Sequence, residues 1–386
     1  MALSNSYIIA ARRTAVGRVG GLHRRRRIEE LAGPVIAAAL ADAGIDPARV
    51  DEVIAGNVSA GSNPARLIAL AAGLPGTVSA LTVDRDSASG LEAILQGARL
   101  IATGEASIVV AGGAESLSTA PWRVAKPRTV YQTPHFDSQN AAYDHTGEAD
   151  LHIAAAELLA SELQLTRDAL DAYALRSHIR AYLAQEAKKF VGEIVPMRVA
   201  AEETRDENLD GDLTADDLAE IPPFVEGGRL TPGNTALPHD GAAFVVIVSE
   251  KVWRELREQP ALRLYASVAC GVEPGREASA PVAAVRKLAD RVNGSGLRGF
   301  GAFELGEMSA SQAIAVRDQF GIEDDLLNPD GGAIARGLPI GASGAIIVTR
   351  LFTRMARHRA RDYARQGIAV QGSKSGLGVA AAFDAV

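Results

Sequence analysis

Thiol chemistry in this chain depends on a single residue, because its 386 residues include one cysteine, Cys270. One thiol cannot close an intrachain disulfide, and it excludes a cysteine-rich metal site and any mechanism that needs two thiols. Cys270 ends a predicted strand, where a free cysteine is typically buried packing. The histidines and acidic residues do not converge at metal-ligand spacing, so we predict no metal site.

The tripeptide Ala88-Ser89-Gly90 occurs again as Ala342-Ser343-Gly344. In both places it opens a predicted helix that follows a strand. Three small residues recur easily by chance, but the shared local setting indicates two similar halves that face each other. The basic tract His23–Arg27 could bind a phosphate or a partner, although a solvated loop before a helix is the simpler interpretation.

The sequence predicts that alternating helices and strands position the tripeptides and the other candidate residues. The pattern predicts helices at 28–43, 63–72 and 89–103 and strands at 51–58, 79–83 and 106–112. Such alternation is typical of crossover units in a largely parallel sheet. Residues 119–146 are irregular, 151–190 predict two helices, and the acidic stretch 202–220 predicts an exposed excursion. The α/β pattern returns from Asp240, with strands at 242–249, 263–270 and 379–384 and a helix at 281–292.

Composition and charge narrow the class of protein. Hydrophobic residues make up 47% and charged residues 23%, so the chain can bury a large core. The formal net charge of −7 provides no basic field to attract nucleic acid or an anionic membrane, so neither is expected as a partner. No stretch has the pattern of a signal peptide or a membrane span, which indicates a cytoplasmic protein.

A series of motifs, in order and spacing, resembles the thiolase (acetyl-CoA acetyltransferase) family along nearly the whole chain. They are Asn63-Pro64-Ala65-Arg66, Ser87-Ala88-Ser89-Gly90-Leu91, Gly112-Gly113-Ala114-Glu115-Ser116, Ala174-Leu175-Arg176-Ser177-His178, Thr231-Pro232-Gly233-Asn234, His239-Asp240-Gly241-Ala242, Asp330-Gly331-Gly332-Ala333-Ile334 and Gly337-Leu338-Pro339-Ile340-Gly341-Ala342-Ser343-Gly344.

The resemblance implies an α/β thiolase fold, in which two similar half-domains stack as an αβαβα sandwich with an inserted loop domain. It places the N-terminal half at 1–118, the loop domain at 119–249, with a last strand that rejoins the core, and the C-terminal half at 250–386. It further implies a homodimer or homotetramer that needs no cofactor, with a coenzyme A thioester as a possible substrate or weak ligand.

The catalytic positions of the family are substituted in this chain. The resemblance places the nucleophilic cysteine at Ser87, the active-site Asn at Gly306, the imidazole at Leu338 and the second cysteine at Gly372. In a serine hydrolase, loss of the nucleophile or the base alone costs about 10⁶ in kcat. We therefore predict no ordinary thiolysis or Claisen condensation, although the family class is acyltransferase.

Charged residues neighbour the aligned active-site positions; they are Asp84, Arg85, Asp86, Arg336 and Lys374. One interpretation is that ion pairs fill and seal a pocket that is no longer catalytic. The other is a rebuilt site in which Ser87 attacks and Lys374 acts as its base. The carboxylate of Asp86 opposes the second interpretation, because it stabilises the charged form of Lys374.

The resemblance assigns no confident coenzyme A-binding residue. The segment that would face the nucleotide carries Asp206, Glu207 and Asp210, whose charges would repel phosphates and weaken binding. The position of a pantetheine-lining serine is Ala236, and a His-Met-Gly tract aligns with 151–153. Within the family-like motifs, His178 and His239 are interpreted as structural rather than catalytic.

Three functions remain open at this point. The first is a thiolase-fold protein that serves as a binding or assembly subunit, alone or beside a partner subunit. The second is an acyltransferase or hydrolase that uses Ser87. The third is retro-aldol or related carbon–carbon lyase chemistry on an acyl-CoA.

Overall fold

A ten-stranded sheet organises the chain. The computed structural model describes residues 5–127, 129–136, 151–197, 204–292, 297–358 and 364–386. Its strands are β1 (Ser6–Arg13), β2 (Gly17–Arg18), β3 (Glu52–Gly56), β4 (Ser79–Val83), β5 (Ile108–Glu115), β6 (Val124–Ala125), β7 (His135–Phe136), β8 (His239–Ser249), β9 (Leu262–Gly271), β10 (Ala302–Gly306), β11 (Gln366–Gly372) and β12 (Leu377–Ala385). Strands β6 and β7 form a separate pair.

The strand order is β4-β3-β5-β8-β1-β9-β12-β11-β10, and β2 pairs with β8. The first five strands belong to the first half of the fold and the last four to the second. A short antiparallel pairing joins the halves, with Tyr7 opposite Arg263 and Ile8 opposite Leu262. Strand β8 thus lies within the first half, between β5 and β1.

The expectation of a largely parallel sheet is wrong. Strand β3 is parallel to β4 and β5, and β10 is parallel to β11. The pairings of β8, β1, β9 and β12 with their neighbours, including β12 with β11, are antiparallel. The short turn between β11 and β12 explains one of these pairings. A parallel pairing would need a long crossover connection between the strands, such as a helix, and the turn is too short for one.

The helices form three layers around the two halves. They are α1 (Ile28–Ala43), α2 (Pro64–Ala71), α3 (Ser89–Thr103), α4 (Leu151–Glu162), α5 (Arg167–Glu186), α6 (Ala215–Glu220), α7 (Glu250–Glu255), α8 (Ala280–Arg291), α9 (Ala310–Phe320), α10 (Ala333–Arg336) and α11 (Ser343–Phe352). Helices α1 and α2 cover the outer face of the first half, and α8 and α9 that of the second. Helices α3 and α11 share one core with strands of both halves. This is the expected αβαβα arrangement.

The repeated tripeptides mark the place where α3 and α11 cross. As predicted, the helices begin at Ser89 and Ser343. The prediction that each follows a strand holds for α3, which follows β4, and is wrong for α11, which follows α10 and a short turn of helix at Ile340–Ala342. A Cβ atom at Gly90 would lie 2.8 Å from the carbonyl oxygen of Gly341, and one at Gly344 would lie 2.7 Å from Leu91 Cβ. The glycines are therefore needed for the close approach of the two helices.

The inserted segment packs mainly on the second half. Buried side chains of α5 and α6, including Leu170 and Leu218, share a core with Val285 of α8 and Ile314 of α9. None of the helices in the described ranges has the length and apolarity required to cross a membrane. The domain boundaries at residues 118 and 249 stay a prediction.

Candidate active site

A cavity of about 670 Å³ opens in front of the N-terminal end of α3. Its lining residues are Ser87, His152, Ile153, Ala154, Glu157, Phe224, Val225, Thr235, Ala236, Leu237, Pro238, Met308, Leu338, Ile340 and Lys374. Most of these side chains are apolar. The cavity thus joins the first half, the second half and the inserted segment. Six of its lining residues are ones that the sequence analysis named for the site: Ser87, His152, Ile153, Ala236, Leu338 and Lys374.

Ser87 is held by a tight turn between β4 and α3. The Asp86 backbone has a φ of 51°, and its N–H donates to Asp84 Oδ1 at 3.0 Å. The Ser89 hydroxyl accepts from the Arg85 N–H at 2.7 Å and donates to the Asp86 carbonyl at 2.5 Å. Ser87 is only 1% exposed, yet it lines the cavity. Its hydroxyl makes no hydrogen bond with another described residue.

Asp86 lies beside Ser87 in a poorly solvated position. Neither of its carboxylate oxygens has a well-formed hydrogen bond to a described residue. The pKa of Asp86 is raised above its ordinary value because the carboxyl group is buried. The nearby positive charge of Lys374 opposes this rise but does not cancel it. Asp86 and Lys374 therefore interact electrostatically close to Ser87.

Lys374 belongs to the turn between β11 and β12. The Ser373 hydroxyl fixes this turn by accepting from the Leu377 N–H at 3.1 Å and by contacting Ser375 Oγ at 2.8 Å. Lys374 makes no ion pair with any residue that the structure describes. The turn thus presents an amine to the cavity that Ser87 lines.

Leu338 occupies the family imidazole position and lines the cavity. Its backbone is fixed on both sides, because its N–H donates to the Leu237 carbonyl at 2.9 Å and its carbonyl accepts from the His239 N–H at 3.1 Å. The side chain offers no proton acceptor at this position.

Gly306 and Gly372, the other two substituted positions, are not among the residues that line the cavity. A Cβ atom at Gly306 would overlap the Gln371 side-chain amide, and one at Gly372 would lie 2.7 Å from Pro281 Cγ. The space that side chains would need at these positions is therefore filled. Sequence reasoning missed Gln371 and Pro281, which carry no catalytic motif.

Arg336 is placed away from the cavity. It is fully buried, it donates to the Asp330 carbonyl at 3.0 Å, and its guanidinium lies 5.9 Å from the centre of the Phe190 ring. Burial and the neighbouring charge of Arg350 lower the pKa of Arg336. Of the three possible replacement residues, Asp86 precedes Ser87 directly in the chain and Lys374 lines the same cavity.

Two further titratable side chains line the cavity and were given no role from the sequence. They are His152 and Glu157, both on α4. Glu157 accepts from the backbone N–H groups of Arg229 and Leu230, at 2.5 and 2.6 Å. The alignment of 151–153 with a family tract was the only signal that pointed to this helix.

His178, His239 and Cys270 are not among the residues that line the cavity. Burial lowers the pKa of His178 to about 4, so its ring is neutral at pH 7. Burial also lowers the pKa of His239, whose Nδ1 is 2.8 Å from the Leu237 carbonyl oxygen. Burial raises the pKa of the Cys270 thiol, which disfavours the thiolate. The described residues contain no cluster that could hold a metal ion.

The predicted repulsion of a nucleotide by Asp206, Glu207 and Asp210 is wrong for Asp206, whose charge is paired. Glu207 and Asp210 are exposed, and for them the repulsion stays a prediction. Asp206 is buried and accepts from Arg13 Nη1 at 2.6 Å, and the Glu207 carboxylate accepts from the backbone N–H groups of Arg18 and Leu22. The prediction of an exposed excursion over 202–220 is therefore wrong at Asp206. Residues 202 and 203 of that stretch lie outside the described residues.

Comparison with known proteins identifies the family. Residues 6–251 match the model of the thiolase N-terminal domain, and residues 258–385 match that of the thiolase C-terminal domain. The acetyl-CoA acetyltransferase of Cupriavidus necator is 36% identical over 99% of this chain and 100% of that protein. The acetyl-CoA acetyltransferase of Shinella zoogloeoides is also 36% identical, over 97% of both chains.

The same family is found among solved structures. The crystal structure of the Bacillus anthracis acetyl-CoA acetyltransferase superimposes with a TM-score of 0.91 and 33% sequence identity, and the match covers 100% of both chains. Together with the two matching domain models and the αβαβα layers, these similarities establish that the chain belongs to the thiolase family.

Proposed function

We propose that this thiolase-family protein binds an acyl thioester in the cavity at Ser87 and does not catalyse thiolysis or Claisen condensation, so that it acts as a binding or assembly subunit. The observation that carries the proposal is an open, mainly apolar cavity whose family catalytic positions hold no thiol and no imidazole. An apolar cavity of this size suits an acyl group and the arm that carries it.

The absence of thiolysis follows from the proton transfers that the reaction needs. A thiolate must attack the acyl carbon, and acids and bases must serve the leaving group. Ser87 is a poor nucleophile without a base, and Leu338 cannot accept a proton. Space for a side chain at Gly372 is occupied by Pro281, which leaves no room for a second thiol without rearrangement.

Coenzyme A binding need not be weak. Weak binding was predicted from Asp206, Glu207 and Asp210. Asp206 is paired with Arg13, so its charge is compensated, and Glu207 accepts from backbone N–H groups. Asp210 is exposed. We therefore propose an acyl-CoA as the ligand class.

Titration calorimetry with acetoacetyl-CoA tests the proposal. We expect saturable binding to the unmodified protein and turnover in thiolysis below about one per second, the low end of ordinary enzymes. Ala154→Trp should block binding, because Ala154 lines the cavity from α4. The matched control is Leu158→Trp, one turn further along the same helix and 42% exposed.

Three results would overturn the proposal. They are a lack of binding to the unmodified protein, equal loss of binding in the two tryptophan variants, and rapid thiolysis.

A second candidate is a hydrolase, acyltransferase or carbon–carbon lyase with a rebuilt site, because Ser87 and Lys374 line the same cavity. In hydrolysis the Ser87 oxygen would form a bond to the thioester carbon while neutral Lys374 takes the hydroxyl proton. The C–S bond would then break, the thiolate would take that proton, and water would release the acyl group. Mass spectrometry of acyl-CoA-treated protein would reveal an acyl adduct that Ser87→Ala removes.

The assembly of the protein is also a proposal. We propose a homodimer or homotetramer, as the family resemblance implies. Light scattering of the purified protein would decide between these states, and a monomer would contradict both. The cytoplasmic location and a partner subunit stay predictions.

A further inference from the structure

A second pocket, of about 340 Å³, lies between the C-terminal half of α3, strand β9 and helix α8. It shares no lining residue with the cavity at Ser87. Three of its lining side chains are cationic, Arg99, Lys287 and Arg291, and two carry hydroxyls, Thr103 and Ser267. None of the described residues that line it is acidic.

The positive charge of this pocket is largely uncompensated. Lys287 Nζ donates to the Ala269 carbonyl at 2.8 Å, and neither Lys287 nor Arg291 forms an ion pair with a described residue. Arg99 donates to Glu92 Oε1 at 2.6 Å, but Arg85 binds the other oxygen of the same carboxylate at 2.9 Å.

We propose that this pocket binds a phosphate-bearing anion, with a diphosphate group as the best fit. Guanidinium and ammonium groups form charge-assisted hydrogen bonds with phosphate oxygens, and the fork of an arginine matches two of them at once. The Ser267 hydroxyl, on a residue only 5% exposed, lies at the wall of the pocket and can add a further contact. The proposal is independent of the function assigned to the cavity at Ser87.

The contacts of Glu92 with Arg99 and Arg85 connect the pocket to the loop that carries Ser87. Glu92 is 2% exposed and holds Arg99 on one side and Arg85 on the other. Arg85 lies two residues before Ser87 in the tight turn. Gln96 Nε2 also donates to Glu92 Oε1, at 2.8 Å. An anion that draws Arg99 away therefore leaves Glu92 with Arg85 as its one charged partner among these contacts, so occupancy of the pocket changes how Glu92 holds Arg85 and this turn.

Titration calorimetry with inorganic pyrophosphate tests the site. We expect saturable binding that weakens from low to physiological salt, because the cations are partly exposed. Lys287→Met and Arg291→Met should each weaken binding about tenfold, as expected for loss of one charge-assisted contact. The matched control is Arg286→Met on the same helix, whose guanidinium contacts Gln319 Oε1 at 3.1 Å and does not line the pocket.

A parallel titration with coenzyme A in the Ala154→Trp variant separates two sources of the diphosphate. Coenzyme A binding that survives Ala154→Trp and is weakened about tenfold by adding Lys287→Met assigns the pocket to a nucleotide diphosphate. Binding of pyrophosphate alone assigns it to a free diphosphate, and both results support the proposal. No pyrophosphate binding by the unmodified protein, or equal weakening in Arg286→Met, overturns it.

The link to Ser87 has its own readout. We expect hydrogen exchange of residues 84–88 to change when pyrophosphate is added to the unmodified protein, and Arg99→Met to abolish the change. Unaltered exchange in the presence of bound pyrophosphate contradicts the link.

Discussion

Glu304 shows how the burial of one carboxyl group makes stability depend on pH. The residue is 2% exposed, and Oε2 has no hydrogen bond to a described residue. Burial raises the pKa of Glu304 to about 7, although the charges of Arg350 and Arg336 oppose the rise. The folded chain therefore holds this proton more tightly than the unfolded chain. The stability that results is fully present below the unfolded pKa and is lost as the pH rises through about 7.

Replacing Glu304 with Gln should remove this pH dependence. Between pH 5 and pH 8 the unmodified protein should lose about 2–3 kcal/mol of unfolding free energy relative to Glu304→Gln, since each pKa unit corresponds to about 1.4 kcal/mol. Urea unfolding at the two pH values measures the difference. Glu105→Gln, at an exposed position, is the control. Parallel pH profiles for Glu304→Gln and the unmodified protein would contradict the prediction.

Restoring a thiol at Ser87 should not restore thiolysis. In Ser87→Cys the sulfur would share the cavity with Leu338, which cannot take or give a proton, and no second thiol would be available at Gly372. We expect acetoacetyl-CoA thiolysis to stay below about one turnover per second. Alkylation of the new thiol would confirm that it is reachable. Rapid turnover in a variant that also alkylates would show that another base serves the site.

The residues of the site were predictable where a local motif carried them. Ser87 and Leu338 follow from the order of short motifs, and Lys374 follows from its place beside an aligned position. Asp206 was misinterpreted because its partner, Arg13, is 193 positions away. A run of carboxylates predicts a solvated surface unless the distant cation is known.

At the scale of elements, the sequence predicted the positions of segments better than their directions. Helices 28–43 and 89–103 and strand 79–83 have the predicted bounds. The Gly44 and Gly104 caps, both with left-handed backbone, provide a local stop signal. Strand direction depends instead on which distant strands pair, such as β1 with β8, and no local pattern encodes this.

The crossing of α3 and α11 gives a prediction at this scale. In Gly344→Ala the new Cβ would overlap the Leu91 backbone nitrogen and lie 2.7 Å from Leu91 Cβ. We expect a loss of about 1–3 kcal/mol in unfolding free energy from overpacking. Gly76→Ala is the matched control, because its Cβ would meet nothing closer than Arg66 Nη2 at 3.8 Å. Equal unfolding free energies for the two variants would contradict the prediction, because they would show that α3 and α11 can move apart without a loss of stability.

At the scale of the whole molecule, a buried ionic network joins the three parts of the chain. Arg13 comes from β1, Glu193 from the segment after α5, and Arg350 from α11. Arg13 Nε is 2.6 Å from Glu193 Oε1, and Arg350 donates to the other oxygen of the same carboxylate. Asp206 and Asp330 bind the remaining sides of the two guanidinium groups. All of these side chains are at most 4% exposed.

Glu193 is the central carboxylate of this network, so its neutralisation should destabilise the whole fold. Burial acts to raise the pKa of Glu193, but Arg350 and Arg13 outweigh it, and the pKa is lowered. The stability from this carboxylate is therefore present above its unfolded pKa and is lost as the pH falls through the lowered folded value. At neutral pH, Glu193→Gln should cost about 3–5 kcal/mol, because it leaves two buried guanidinium groups short of negative charge.

Urea unfolding at pH 7 measures this cost against a surface pair in the same segment. Glu186 accepts from Arg205 at 2.6 Å with both side chains nearly half exposed, so Glu186→Gln should cost no more than about 1 kcal/mol. A smaller loss in Glu193→Gln than in Glu186→Gln would mean that the network does not join the three parts energetically. The expected larger loss, in a single cooperative transition, would show that the inserted segment and both halves unfold together.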